Sequence, residues 1–234
     1  MIGDNAASTL VAETLGSAGY DFVIVDLQHG ENNLDNAQHM FQALGNTAAM
    51  PFVRVAAGVP MYIQRALDLG AYGVIVPSVN NEEEAAQIVS SVRYAPAGTR
   101  SWGPVRGLLY GGTDYFSKSS AELLTLVMIE SAEGLKNVDE IMNVDGVDGC
   151  FVGPMDLGIS LGHSPDLPKL PEQVDEAIAK ILAATRAAGK FAGIHTTSVD
   201  DAKRRIEQGF RLVSVMADTR MMKVGAMQTL AALK

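Results

Sequence analysis

The feature that most narrows what this chain can fold into is an alternation. Short apolar runs rich in β-branched residues recur along it, each followed by a longer stretch with helical spacing. The runs lie at 22–26, 51–55, 74–77, 124–130, 147–153, 191–196 and 212–217, and the helical stretches near 34–44, 60–69, 81–92, 131–142, 172–188, 199–208 and 219–233. Near-continuous apolar strands are buried on both faces, as in a parallel sheet. Ser131 and Ser198 stand where N-caps belong. Seven βα units result, preceded by a helix near 7–15. Eight strands close a barrel and seven do so poorly, so the expected fold is an α/β (β/α)8 TIM-type barrel with its first strand truncated, residues 1–2 being a candidate stub. The 234 residues suit one such barrel, a single domain over 1–234.

Composition enters as a filter. With 47% apolar residues the chain can build a large core, and a net charge of −9 is the opposite of a nucleic-acid footprint. The lone Cys150 lies in an apolar run, which excludes an intrachain disulfide and a cysteine-built zinc site. The apolar runs are too short to span a membrane. No charged segment followed by an apolar one opens the chain, so a cytoplasmic location is expected. One connection, 94–112, is long for a compact domain. Its Arg100, Trp102 and Arg106 suit a contact surface, and a solvated excursion is the alternative.

In a parallel barrel the reactive side chains stand at the C-terminal ends of the strands. There the chain places Asp26, Gln28 and His29; Arg54; Glu130; Asp156; His195, Thr196 and Thr197; and Asp218. Two carboxylates on neighbouring strands repel unless something neutralises them. For Glu130 and Asp156 a hard divalent cation would do so, with water and substrate oxygens completing its shell. Asp156 could instead cap the following helix. Arg54 must face an anion or carbonyl oxygen, from substrate or from a rim carboxylate. His29 could act as a general base near neutral pH. His195 either lines the pocket or packs near it; His39 and His163 read as structural. No lysine falls inside a strand, which speaks against imine chemistry and for metal-assisted enolate chemistry.

The segments YDFVIVDLQHG, PFVRV, IQRALDLGAYGVIVPSVNNEEEAAQIVSSVRYAPAGTRSWGP and MIESAEGLKNVDEIMNVDGVDGCFVGPMDLGISLGH, in this order and spacing, resemble the HpcH/HpaI aldolases. These are metal-dependent class II pyruvate aldolases of the phosphoenolpyruvate/pyruvate barrel superfamily. The resemblance covers roughly residues 8–220. It implies a divalent metal, Mg²⁺ or Mn²⁺ with Co²⁺ as a further candidate, on Glu130 and Asp156. It implies a catalytic His29 paired with Asp68, and Arg54 on the pyruvyl carbonyl oxygen. Asp26 would help order water on the metal, and the backbone N–H groups of Met155 and Asp156 would cradle the carboxylate. Many members carry glutamine where this chain has Met128, so a pyruvyl hydrogen bond is lost or supplied elsewhere, and a polar donor such as hydroxypyruvate becomes plausible.

The expected activity is therefore aldol addition or cleavage of 4-hydroxy-2-oxo acids, through the enolate of pyruvate or hydroxypyruvate and an aldehyde. The alternative is an oxaloacetate decarboxylase or another 2-oxo-acid lyase using the same enolate. A non-catalytic binding barrel is a third reading. A phosphate-binding barrel is disfavoured by HTTSVD and ADTRMM after the last two strands, which are poor glycine-rich turns. Expected partners are a small 2-oxo acid and an aldehyde, with neither nucleic acid nor membrane, and the resemblance implies further copies of the chain in a hexamer, a trimer of dimers. The methionine-rich end at 216–233 suits an exchanged or docked helix, or a core one.

Overall fold

The computed structural model describes residues 8–167 and 169–234. Seven strands form one sheet: β1 Phe22–Asp26, β2 Met50–Arg54, β3 Gly73–Val76, β4 Leu124–Ile129, β5 Gly149–Val152, β6 Phe191–Thr196 and β7 Leu212–Val215. They pair in sequence order and every pair is parallel. The sheet curls into the wall of a TIM-type barrel lacking one strand, and among the described residues no ladder joins β7 to β1. The stub expected at residues 1–2 lies outside the described residues.

Helices fill the connections. They are α1 Thr9–Ser17, α2 Leu34–Leu44, α3 Pro60–Asp68, α4 Glu82–Val92, α5 Val105–Gly111, α6 Tyr115–Glu122, α7 Ala132–Lys136, α8 Val138–Asn143, α9 Pro154–Ser160, α10 Glu172–Ala187, α11 Val199–Gln208 and α12 Asp218–Ala232. Both expected caps are made: the Ser131 hydroxyl accepts from Gly134 N at 2.9 Å and that of Ser198 from Asp201 N at 3.2 Å. Among the described residues no helix is long and apolar enough to cross a membrane.

The period of two along each strand divides the core into two layers. Facing the helices are mostly β-branched residues, among them Val23, Val25, Val53, Val74, Val127, Val152 and Ile194. Facing the barrel axis are bulkier ones: Phe22, Ile24, Phe52, Ile75, Leu126, Met128, Phe151 and Leu212. Glycines make room for them. A Cβ on Gly73 would stand 2.6 Å from the Phe52 ring, and one on Gly193 2.7 Å from the Phe151 ring. This apolar plug closes the barrel floor. One step further along the inner faces, the side chains turn polar.

The long connection 94–112 is neither disordered nor a solvated excursion. It carries α5, continues through a 3₁₀ turn at Gly112–Asp114 and enters α6, which the sequence reading did not anticipate. Arg100 anchors it. Its guanidinium is buried, 4.6 Å from the Tyr94 ring centroid and 5.7 Å from that of Tyr115, and it donates to Asp68 Oδ1 at 2.9 Å. Trp102, half exposed, packs on Tyr94 and Phe116 at 5.3 and 5.6 Å. Arg100→Ala leaves Asp68 unpaired and opens a gap between two rings. The expected cost is about 3 kcal/mol, read by calorimetry as a Tm lowered by about 6–12 °C in a chain of this size.

Candidate active site

The polar layer sits where the strands end. Register pairs Asp26 of β1 with Arg54 of β2, both on the inner face. Arg54 donates through Nε to Asp26 Oδ1 at 2.7 Å and through Nη2 to Oδ2 at 2.5 Å, a two-pronged pair. Asp26 is fully buried and also accepts from the N–H groups of Gln28 at 3.0 Å and His29 at 3.3 Å. Burial alone would raise its carboxyl. The Arg54 hydrogen bonds and charge, with the two backbone donors, overcome that and hold it below the usual carboxylate range. The same bonds fix the turn that presents His29, which is exposed at the mouth.

Glu130 directly follows β4, on the inner side and buried. Its Oε1 accepts from Ser78 N at 2.8 Å and Ser78 Oγ at 3.3 Å. Ser78 adopts φ 58°, a left-handed conformation costly for a residue with a side chain, and so turns both donors onto Glu130. On the other side a Cβ at Gly153 would stand 2.6 Å from Glu130 Oε2, so glycine is what lets the carboxylate lie there. Burial pushes the Glu130 carboxyl up. The Ser78 bond and the Arg54 charge oppose this, and the negative charge of Asp156 adds to it. Asp156 is exposed at the third position of α9. Pro154 opens that helix, and its first bond runs from Leu157 N to Gly153 O at 3.0 Å. The N–H groups of Met155 and Asp156 thus stand at the helix start with no intrahelical acceptor.

Asp26, His29, Arg54, Met155, Asp156 and His195 border one cavity of ≈ 210 Å³, with Met128 and Gly153 at its base. Met128 is buried and brings a thioether, a weak acceptor with no donor, to the cavity. The residues fit a hard divalent cation. Asp156 lines this small cavity, and the buried Glu130, repelled by the Asp156 charge, lies just behind it with Oε2 against Gly153. Among the described residues no cluster of three or more His, Cys, Asp or Glu forms a cage. A carboxylate pair leaving positions for water and substrate oxygens is the arrangement magnesium and manganese accept.

One expected pairing is not made within the chain. Asp68 is the last residue of α3, which runs back from the rim after β2, so it lies towards the floor of the barrel. It is ion-paired with Arg100 at 2.9 Å rather than with His29. The sequence reading missed Ser78, whose only signal was its place after the third apolar run, and it left His195 undecided. His195, on the inner face of β6, borders the cavity, and its Nδ1 lies 2.6 Å from Ser214 Oγ of β7. Burial, with the nearby Arg54 charge, pushes its pKa down to about 4. Cys150 is fully buried against Thr185 and its thiol is pushed up to about 11 by burial, as a core residue should be. Among the described residues no lysine lies within a strand.

The profile of the HpcH/HpaI aldolase/citrate lyase family matches residues 4–223. The chain is 40% identical over 223 residues to a hydroxypyruvate/pyruvate aldolase of Rhizorhabdus wittichii, covering 95% of this chain and 89% of that one. It is 40% identical over 214 residues to a 5-keto-4-deoxy-D-glucarate aldolase of Citrobacter koseri, covering 91% of this chain and 82% of the other. A crystal structure of a HpcH/HpaI aldolase/citrate lyase family protein from Burkholderia cenocepacia superposes with a TM-score of 0.92 at 33% identity, over 99% of this chain and 93% of that one.

Proposed function

Since the chain belongs to the HpcH/HpaI aldolase/citrate lyase family, we propose that it joins or cleaves 4-hydroxy-2-oxo acids through the enolate of pyruvate or hydroxypyruvate and an aldehyde, with a divalent metal, Mg²⁺ or Mn²⁺, on Glu130 and Asp156. The enzyme is an aldolase, a carbon–carbon lyase. The observation that carries the metal-dependent reading is the Glu130–Asp156 pair: a buried carboxyl raised by burial and by the charge of Asp156, which itself lines the cavity with Arg54. A divalent cation held there would supply the charge that neutralises both carboxylates and makes the carbon beside a bound keto group easier to deprotonate.

The rest is work for the chain's own groups. Arg54, locked by Asp26, aims its guanidinium at the keto oxygen, on which negative charge grows as the enolate forms. The N–H groups of Met155 and Asp156 receive the donor carboxylate. His29, positioned by the Asp26 turn, moves the proton between the donor carbon or the aldol oxygen and solvent. Asp68 acts on the fold through Arg100. The helix α12 leaves Met222, Met227 and Leu230 more than half exposed, which supports the homo-oligomer that the family resemblance implies.

The test is product analysis with purified enzyme. Pyruvate or hydroxypyruvate plus a panel of aldehydes is expected to yield 4-hydroxy-2-oxo acids with added Mg²⁺ or Mn²⁺, and none after exhaustive EDTA treatment. Turnover of oxaloacetate alone would instead establish the decarboxylase. Turnover surviving chelation would remove the metal from the reading. A second check uses Gly153→Ala. The new methyl displaces Glu130 Oε2, so Mn²⁺ affinity measured by titration is expected to weaken about 10-fold or more, with little change in secondary structure.

A further inference from the structure

His195 is the polar group of the cavity for which the reading above has no use. The pairing of β4 with β5, and of β5 with β6, sets Ile129, Val152 and Ile194 abreast. One residue on, Glu130, Gly153 and His195 stand in a row on the inner side. The space over Gly153, between them, is taken by Glu130 Oε2 and the terminal carbon of Met128, 2.6 and 3.2 Å from where a Cβ would stand. His195 borders the same ≈ 210 Å³ cavity as Arg54 and Asp156. Ser214, its register partner on β7, is buried and holds Nδ1 at 2.6 Å. The ring is thus oriented, with Nε2 as its remaining hydrogen-bonding atom.

The chemistry of that atom narrows what it can recognise. Burial and the Arg54 charge keep the imidazole neutral at neutral pH, so it is no second anion anchor for a dicarboxylate. A neutral imidazole nitrogen either donates or accepts, according to which way the Ser214 hydroxyl turns. A hydroxyl can meet both cases, a carboxylate only one, and a methyl neither. Asp26 and Arg54 are engaged with each other, and Met128 and Met155 bring thioethers. Carbon 3 of a 2-oxo acid is one bond from the keto carbon that Arg54 addresses, so a substituent on it falls inside this small cavity.

We propose that His195, held by Ser214, recognises a hydroxyl on C3 of the donor, so that the site takes a 3-hydroxy-2-oxo acid in preference to its 3-unsubstituted counterpart. This rests on the aldolase reading and names the determinant of its donor. His195 acts as a specificity residue, and Ser214 positions it.

The experiment compares hydroxypyruvate and pyruvate as donors, with one aldehyde bearing no hydroxyl and saturating Mg²⁺. It uses the wild type, His195→Leu, His195→Gln and Ser214→Ala. In His195→Leu the hydroxypyruvate-over-pyruvate ratio of kcat/KM is expected to fall about 10- to 100-fold, with pyruvate changed less than about threefold. Ser214→Ala should move the ratio the same way by less, and His195→Gln should restore part of it. Calorimetric titration should show the same loss in hydroxypyruvate affinity. An equal fall for both donors or an unchanged ratio overturns the inference while leaving the aldolase intact. A wild type that turns over neither donor overturns the aldolase reading and this inference together. A poorly folded Leu variant leaves Ser214→Ala and the Gln variant to decide.

Discussion

Glu130→Gln is expected to abolish metal-dependent turnover, lowering kcat by about 10³ or more, while making the metal-free protein more stable at neutral pH. The two effects share one cause. The carboxyl is buried, and Asp156 adds a like charge, so ionisation of Glu130 is disfavoured in the fold. A carboxyl raised in this way lowers stability as pH climbs from its unfolded value through its folded one. The neutral amide has no such penalty, and its oxygen still accepts from Ser78 N. It also offers a divalent cation no charge to bind. Thermal melts with and without Mg²⁺ separate these terms. The wild type should gain Tm with the ion by mass action, and the Gln variant should start higher and gain nothing. A variant that stays active, or that still responds to Mg²⁺, would show that the ion is held elsewhere.

The second large effect is at Arg54, which serves both the fold and the chemistry. Arg54→Ala removes the cation facing the keto oxygen, for an expected loss of about 10²–10³ in kcat. It also strands Asp26, a fully buried carboxylate, at a cost of about 3–5 kcal/mol. The pH dependence carries the sign. In the wild type the Asp26 carboxyl is lowered. Its stabilisation is complete above the ordinary carboxylate value of 3.8 and is lost as pH falls through the lower folded value. Without Arg54, burial dominates and raises the same carboxyl, so the variant loses stability as pH rises through that range. The gap between the two proteins should thus be widest at neutral pH and shrink below about 3.8. Adding Asp26→Asn should recover most of the stability and none of the activity, because it removes the stranded charge without restoring the donor. Denaturant titrations at pH 7 and pH 3.5, alongside kcat, check all three.

Some of the site was legible from local pattern alone. Asp26, Arg54 and Glu130 each follow an apolar run on the inner parity of its strand, and Asp156 follows the fifth run by a few residues. A break from apolar to polar at a strand end needs no tertiary knowledge to be seen. Met128 stood out only through the family resemblance, as a thioether where many members carry glutamine. The helices at 105–111 and 115–122 were hidden because they follow no apolar run and begin without a side-chain cap. What holds them is the Arg100 anchor between Tyr94 and Tyr115, a contact across the sequence.

By itself the sequence determined that parallel strands alternate with helices around a barrel, and that a ring of titratable groups lines one rim, since both follow from period and from the position of polar residues in apolar runs. The tertiary structure decided the partners. It locked Asp26 to Arg54, turned the strained Ser78 onto Glu130, sent Asp68 to Arg100 instead of His29, and set the half-buried His195 against Ser214. Those choices depend on which residues strand register and helix direction bring within hydrogen-bond reach, and on how much water is left around each group, and neither is a property of the local chain.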